Sequence, residues 1–347
     1  MKTLRELAAL LPGAELRNAD QADSIQIQSI RPLAYDGKDF LSFVTGKGYV
    51  QAGGASKAAA LLVTAEFASQ LSKPLIVVPV VEAALTQALR VFFPERKPDG
   101  QISPHAVVHS SAKVGKNTSL GHFVTVGANS VIGNDCIIED GVKIGEDVVI
   151  GDNARIGMNC TFSYGTRIGK NFTVFGNSTF GGDGFGFYFA NGIHNKIPQV
   201  GNVIIGDNVE IGANCTVDRG ALQDTIVKDG CKFDNMVHIA HNCNVGKNVI
   251  IAGQSGLAGS TTLGDNVIVG GATAIADHLI VPDGTIVAGG TLIRNSPKEK
   301  GVYAGTEGLS FGDFQKMRAN IKHLVGFNKW ASRIKALEKK AGITAEE

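Results

Sequence analysis

From Ile102 to Phe180 every sixth residue is Ile, Val, Leu or Phe. The beat returns at Ile205, Ile211 and Val217 and runs again from Val227 to Val287, for 28 hexads in all. A period of six fits neither the 3.6-residue turn of a helix nor the two-residue alternation of a plain strand, and it predicts a parallel β-helix. With three hexads to a triangular coil, the run makes about nine coils. Gly often follows the apolar residue, with Asn or Asp two places further on, as in Val114-Gly-Lys-Asn117 and Leu263-Gly-Asp-Asn266. Both residue types suit the left-handed backbone of a tight corner.

The rest of the chain is organised around that run. Residues 1–100 mix a helical pattern at Leu4 to Leu11 with an apolar strand at Pro74 to Val81, which predicts a small α/β domain. Residues 101–303 form the β-helix, and 304–347 return to helical spacing at Phe314, Met317, Ile321, Leu324 and again at Trp330, Ile334, Leu337. Two insertions break the beat, Gly181 to Ile204 and Asp218 to Asp224. In a solenoid such insertions are outer loops, often on the binding face.

Composition narrows the class. The 347 residues carry a net charge of +1, and no stretch approaches the ~20 apolar residues of a membrane span, so a soluble cytoplasmic protein is expected. The five cysteines, Cys136, Cys160, Cys215, Cys231 and Cys243, each stand four places after a hexad apolar residue. That shared phase marks small buried core residues rather than a disulfide or zinc set. From Arg294 to Lys340 eleven Lys and Arg face four acids, which suggests either a solvated helix surface or an acidic partner.

Of the eight histidines, His105, His109, His122 and His323 have no constellation around them, and His194 lies in the first insertion. Asp234, His238 and His241 instead fall within eight residues, with His241 two places after inward-facing Ile239, at a corner where a side chain can leave the core. His278 follows two coils and one residue later, about 10 Å along the axis, a spacing that suits two groups on one long substrate. Satisfied surface imidazoles are the plain alternative. A metal site of the kind found in hexapeptide-repeat carbonic anhydrases would need a third histidine from a neighbour, and none is expected.

Taken together, the hexads, Thr216-Val-Asp-Arg-Gly-Ala-Leu-Gln-Asp-Thr225, Ile239-Ala-His-Asn242, Gly182-Asp-Gly-Phe-Gly186, Lys196-Ile-Pro-Gln199 and Gly301-Val-Tyr303 resemble the UDP-3-O-acylglucosamine N-acyltransferase family over nearly the whole chain. The resemblance implies a left-handed β-helix and a homotrimer with active sites between neighbouring solenoids. It implies transfer of an (R)-3-hydroxyacyl chain from acyl carrier protein to the 2-amine of UDP-3-O-(3-hydroxyacyl)-glucosamine in lipid A assembly. No cofactor and no nucleic-acid partner are implied.

Carried over, His241 matches the general base, Asp234 the carboxylate that supports it, His278 a second active-site histidine, and Gly259 the N–H that holds the oxyanion. Asn235 and His238 fall among the substrate-binding positions. Phe43 and Tyr49 match aromatics that sandwich the uracil, with Gly46 where a polar Asn often stands. Gly290 and Leu292 match the far end of the acyl channel, and the small Gly290 leads to an expected preference for chains of about sixteen carbons or longer. The segment from Ala304 to Phe311 departs from the pattern. A coenzyme A-dependent sugar-nucleotide acyltransferase and a non-catalytic scaffold are the competing readings.

Overall fold

A computed structural model describes residues 1–305, 311–324 and 326–342, and the chain divides into two compact units, Met1–Lys97 and Pro98–Glu347. In the first, the strands Glu15–Arg17, Ser29–Ile30, Phe40–Phe43, Ala60–Val63 and Leu75–Val77 form one sheet, parallel except where Glu15–Arg17 joins its edge. The short helix Leu4–Ala9 begins with a reciprocal cap, the Thr3 hydroxyl accepting from Glu6 N and the Glu6 carboxylate accepting from Thr3 N. Its Leu4 and Leu7 are fully buried, as the apolar spacing requires.

In the second unit the hexads become short strands that stack into three parallel sheets of ten, ten and nine strands. That is about ten coils rather than nine, because the beat runs one step further to Ile293 and Val302–Tyr303 adds a closing strand. From Leu120 onward each apolar hexad residue is buried: Ile144, Phe162 and Phe180 stack in one column, and the Phe162 and Phe180 rings lie 4.9 Å apart.

The corners divide their labour differently from the sequence expectation. The left-handed residue is often the Asn or Asp, as at Asn117, Asp135 and Asn153, while the Gly after the apolar residue, Gly181 apart, has ordinary φ. That glycine is required by close stacking: a Cβ on Gly115 would lie 2.4 Å from the carbonyl oxygen of Gly133 one coil on. Corner side chains then tie coil to coil, Asn117 Nδ2 donating to Asp135 Oδ1 at 2.7 Å and Asn171 Nδ2 to Asn208 Oδ1 at 3.0 Å.

The cysteines are buried and free, and they do more than fill space. At the same hexad position Ser130, Ser255 and Thr261 donate to a carbonyl oxygen of the next coil. Cys160 and Cys243 do so through Sγ, to Phe175 O at 3.3 Å and Ala258 O at 3.2 Å. Burial pushes both thiols up to about 11, so neither is a reactive thiolate.

The first insertion leaves the sheet after Asp183, forms the hairpin Phe187–Ala190 with Ile193–Lys196, and rejoins at Val203. Buried Arg219 anchors its start, Nε donating to Gly181 O at 2.7 Å and Nη2 to Tyr164 O at 2.8 Å, with the guanidinium 3.6 Å over the Tyr164 ring. Two helices, Phe311–Leu324 and Phe327–Ala341, end the described chain, and no helix among the described residues is long and apolar enough to cross a membrane. Most of the unusual segment from Ala304 to Phe311 lies outside the described residues.

Candidate active site

His241 stands at the corner that follows the strand His238–Ile239. Its Nδ1 lies 3.1 Å from Asn242 Oδ1. The Asn242 amide cannot be turned round without loss, since Oδ1 also accepts from Ala221 N at 3.1 Å and Nδ2 donates to Gln223 O at 3.3 Å. His241 Nδ1 must therefore carry the proton, which leaves the Nε2 lone pair as the basic atom.

Glycines surround the imidazole. A Cβ on Gly259, one coil further, would sit 2.5 Å from His241 Cε1 and 2.6 Å from Nε2. A Cβ on Gly184, in the first insertion, would sit 2.4 Å from His241 Cβ. The insertion loop thus rests on His241 from one side, and the next coil closes against its ring from another. The Gly259 N–H has no partner within the chain among the described residues, so it is free to donate to a ligand.

These groups open into a cavity of about 540 Å³ lined by His238, His241, Gly259, Asp277, His278 and Phe185, with small residues between them. Outward from the sheet, His238 pairs in register with Gly256, Gly256 with Ala274, and Ala274 with Leu292. Gly256 and Ala274 carry the cavity lining on beyond His238, and Leu292 is the next residue in register, outside the cavity. His278 occupies a left-handed corner with φ 56°, a conformation uncommon for a non-glycine residue.

Four of the expected residues therefore converge: His238, His241, Gly259 and His278. The others are placed differently. Asp234 makes no hydrogen bond to His241 within the chain, because it belongs to the preceding corner. Its Oδ1 accepts from Asn235 N and Nδ2, at 2.7 and 3.0 Å, and its Oδ2 from Gly253 N at 3.1 Å. Asn235 is equally committed, its Oδ1 accepting from Ala213 N at 2.8 Å. Gly290 is a corner residue with φ 70° and open space where a side chain would go, and neither it nor Leu292 lines the cavity.

Asn242, Asp218 and Phe185 were not singled out, although all three lie in the motifs read above. The available signal was phase, since Asn242 directly follows the corner histidine and Asp218 directly follows inward Val217. His105 and His122 do form a constellation after all, their rings 5.5 Å apart with Phe123 stacked on His105 at 5.6 Å. It is an exposed cluster among the first coils, and no group of three or more metal-ligating side chains occurs among the described residues.

In the first unit Phe43 and Tyr49 line one cavity of about 660 Å³, with Tyr35, Asp36, Ser56 and Lys57 around it. Lys57 pairs with Asp36 at its rim. Phe43 is half-buried and Tyr49 exposed, so both present ring surface to the cavity.

Comparison with known proteins agrees with the repeat. The bacterial transferase hexapeptide (six repeats) model matches residues 129–164, and the hexapeptide repeat of succinyl-transferase matches 202–235 and 237–275. A UDP-3-O-acylglucosamine N-acyltransferase from Leptospira biflexa is 57% identical over 99% of this chain and 98% of its own. One from Dechloromonas aromatica is 48% identical over 97% and 95%. Among solved structures, a UDP-N-acetylglucosamine acyltransferase from Bacteroides fragilis covers 60% of this chain and 71% of its own at 26% identity. Its TM-score of 0.46 is too low to add to the argument.

Proposed function

Since the chain belongs to the UDP-3-O-acylglucosamine N-acyltransferase family, we propose that it moves a 3-hydroxyacyl group from an acyl carrier protein thioester to the 2-amine of UDP-3-O-acylglucosamine in lipid A biosynthesis. The observation that carries the chemistry is the Asn242-fixed tautomer of His241, whose free Nε2 shares a cavity with the unbonded Gly259 N–H. An amine must lose protons to attack a thioester, and a neutral imidazole nitrogen takes one while a fixed N–H steadies the oxyanion. The thioester itself supplies the activation, so the reaction as proposed calls for neither metal nor redox cofactor.

Mass spectrometry of the product formed from UDP-3-O-acylglucosamine and a panel of carrier-protein thioesters tests this reading. Turnover with acyl-coenzyme A alone would favour the sugar-nucleotide acetyltransferase alternative, and no turnover with any donor would favour a scaffold. The cytoplasm is the proposed location.

We assign Phe43 and Tyr49 to the uracil. The double variant Phe43→Ala, Tyr49→Ala should raise the KM for the UDP-sugar by roughly tenfold while kcat with saturating acceptor holds, since each aromatic stack contributes about 0.5–1.5 kcal/mol. An unchanged KM would remove the assignment.

The acyl chain is assigned to the line of residues from His238 past Gly256 and Ala274 to Leu292. Three coils at ~4.8 Å each give a path of about 14 Å, and Leu292 rather than Gly290 is the side chain in line with it. Leu292→Trp should shift the preferred donor to shorter chains, read as kcat/KM across donors of different length. A length profile identical to wild type would place the end of the channel elsewhere.

A homotrimer with sites between solenoids is also proposed, with a trimeric mass in solution as its test. It would give Asp234 a role that the single chain does not. Asp234 and His241 stand at opposite corners of one face, so the carboxylate of one subunit would approach His241 of the next. The basic residues of the C-terminal helices fit an acidic carrier protein, whose affinity should fall as salt screens the contact.

A further inference from the structure

Asp218 lies on the strand Thr216–Arg219, which pairs in register with His238–Ile239. Its side chain is 19% exposed, and the one ion-pair contact it makes among the described residues is with His238 Nε2, 3.8 Å from Oδ2. Among the described residues no hydrogen-bond donor reaches the carboxylate. His238 Nδ1 is held by Thr216 Oγ1 at 2.7 Å, which keeps the ring turned towards Asp218.

Other charged groups nearby are committed elsewhere. Arg219 turns its guanidinium into Gly181 O, Tyr164 O and the Tyr164 ring, and Asp183 is paired with Lys196. Burial pushes the Asp218 carboxyl above the ordinary aspartate range; His238 and His241 oppose that push and Asp183 adds to it. A half-buried carboxylate without a donor is unfavourable until a cation or a donor arrives.

The reaction proposed above, on which this inference rests, brings such a cation: at neutral pH the acceptor amine arrives as an ammonium. We propose that Asp218 receives that ammonium beside His238, turns the nitrogen towards His241, and selects an amine over a hydroxyl at the sugar 2-position. The ammonium gives its first proton to Asp218. The free amine then attacks the thioester carbon while His241 Nε2 takes the second proton. That proton passes to the departing thiolate, the C–S bond breaks, and Asp218 returns its proton to solvent as product leaves.

The test is calorimetric binding, without donor, of UDP-3-O-acylglucosamine and of an analogue with a 2-hydroxyl in place of the amine. Wild type should prefer the amine by about 10- to 100-fold, the range of a charged hydrogen bond. Asp218→Asn should bind both equally, with the affinity for the hydroxyl analogue unchanged, and His241→Ala should keep the wild-type preference. A preference retained in Asp218→Asn, or absent from wild type, overturns the inference while leaving the proposed reaction standing. Failure of wild type to acylate the amine compound with any carrier-protein thioester overturns the proposed reaction itself.

Discussion

His241→Ala should lower turnover by roughly 10²–10⁴-fold, the range for a positioned general base, with the unfolding temperature close to wild type. The residue stands at a corner and is half-buried, outside the apolar column formed by Phe180, Val217, Ile239 and Leu257, so its loss opens no core cavity. Steady-state rates and a thermal melt decide it. Turnover within a few-fold of wild type would take the base away from His241. Asn242 should show the dependence indirectly, because removing its Oδ1 frees the imidazole to adopt the other tautomer and to turn its proton towards the substrate.

Gly259→Ala should cost about 10²-fold or more in kcat/KM for a different reason. The new methyl would meet His241 Cε1 and Nε2 at 2.5 and 2.6 Å, so the ring must move, and a displacement of about 1 Å at a reacting group costs on that order. The glycine has ordinary φ, hence the backbone itself tolerates alanine and the coil should still form. Kinetics paired with circular dichroism separates the two effects. An active Gly259→Ala enzyme would show that the imidazole has room to retreat, and that the close approach is incidental.

How much of this was legible in the sequence depends on what a repeat can encode. The period of six fixed the coil, the inward column and the corner position of His241, because each follows from phase alone. Partners across coils were harder. Asp234 and His241 are close in sequence, yet consecutive corners point different ways, so two groups seven positions apart do not touch. Asn242 and Asp218 lay in plain view, but their importance depends on where Ala221, Gln223 and Thr216 fall once the second insertion has shifted the register. The glycine that often follows the apolar residue reads as a turn former, because a sequence shows small size without showing what approaches it.

The first insertion also bears on how the solenoid assembles. Neighbouring coils normally join residues 18 apart, as Asn153 does with Asn171, whereas across the insertion Asn171 joins Asn208, 37 residues on. Loop-closure entropy grows with the logarithm of length, so a doubled span costs only about 0.6 kcal/mol more than an ordinary coil. Zippering can pass the interruption almost as easily as it adds any other rung. A folding path of this kind leaves the loop that rests on His241 open to change in length and composition, with little effect on whether the chain folds.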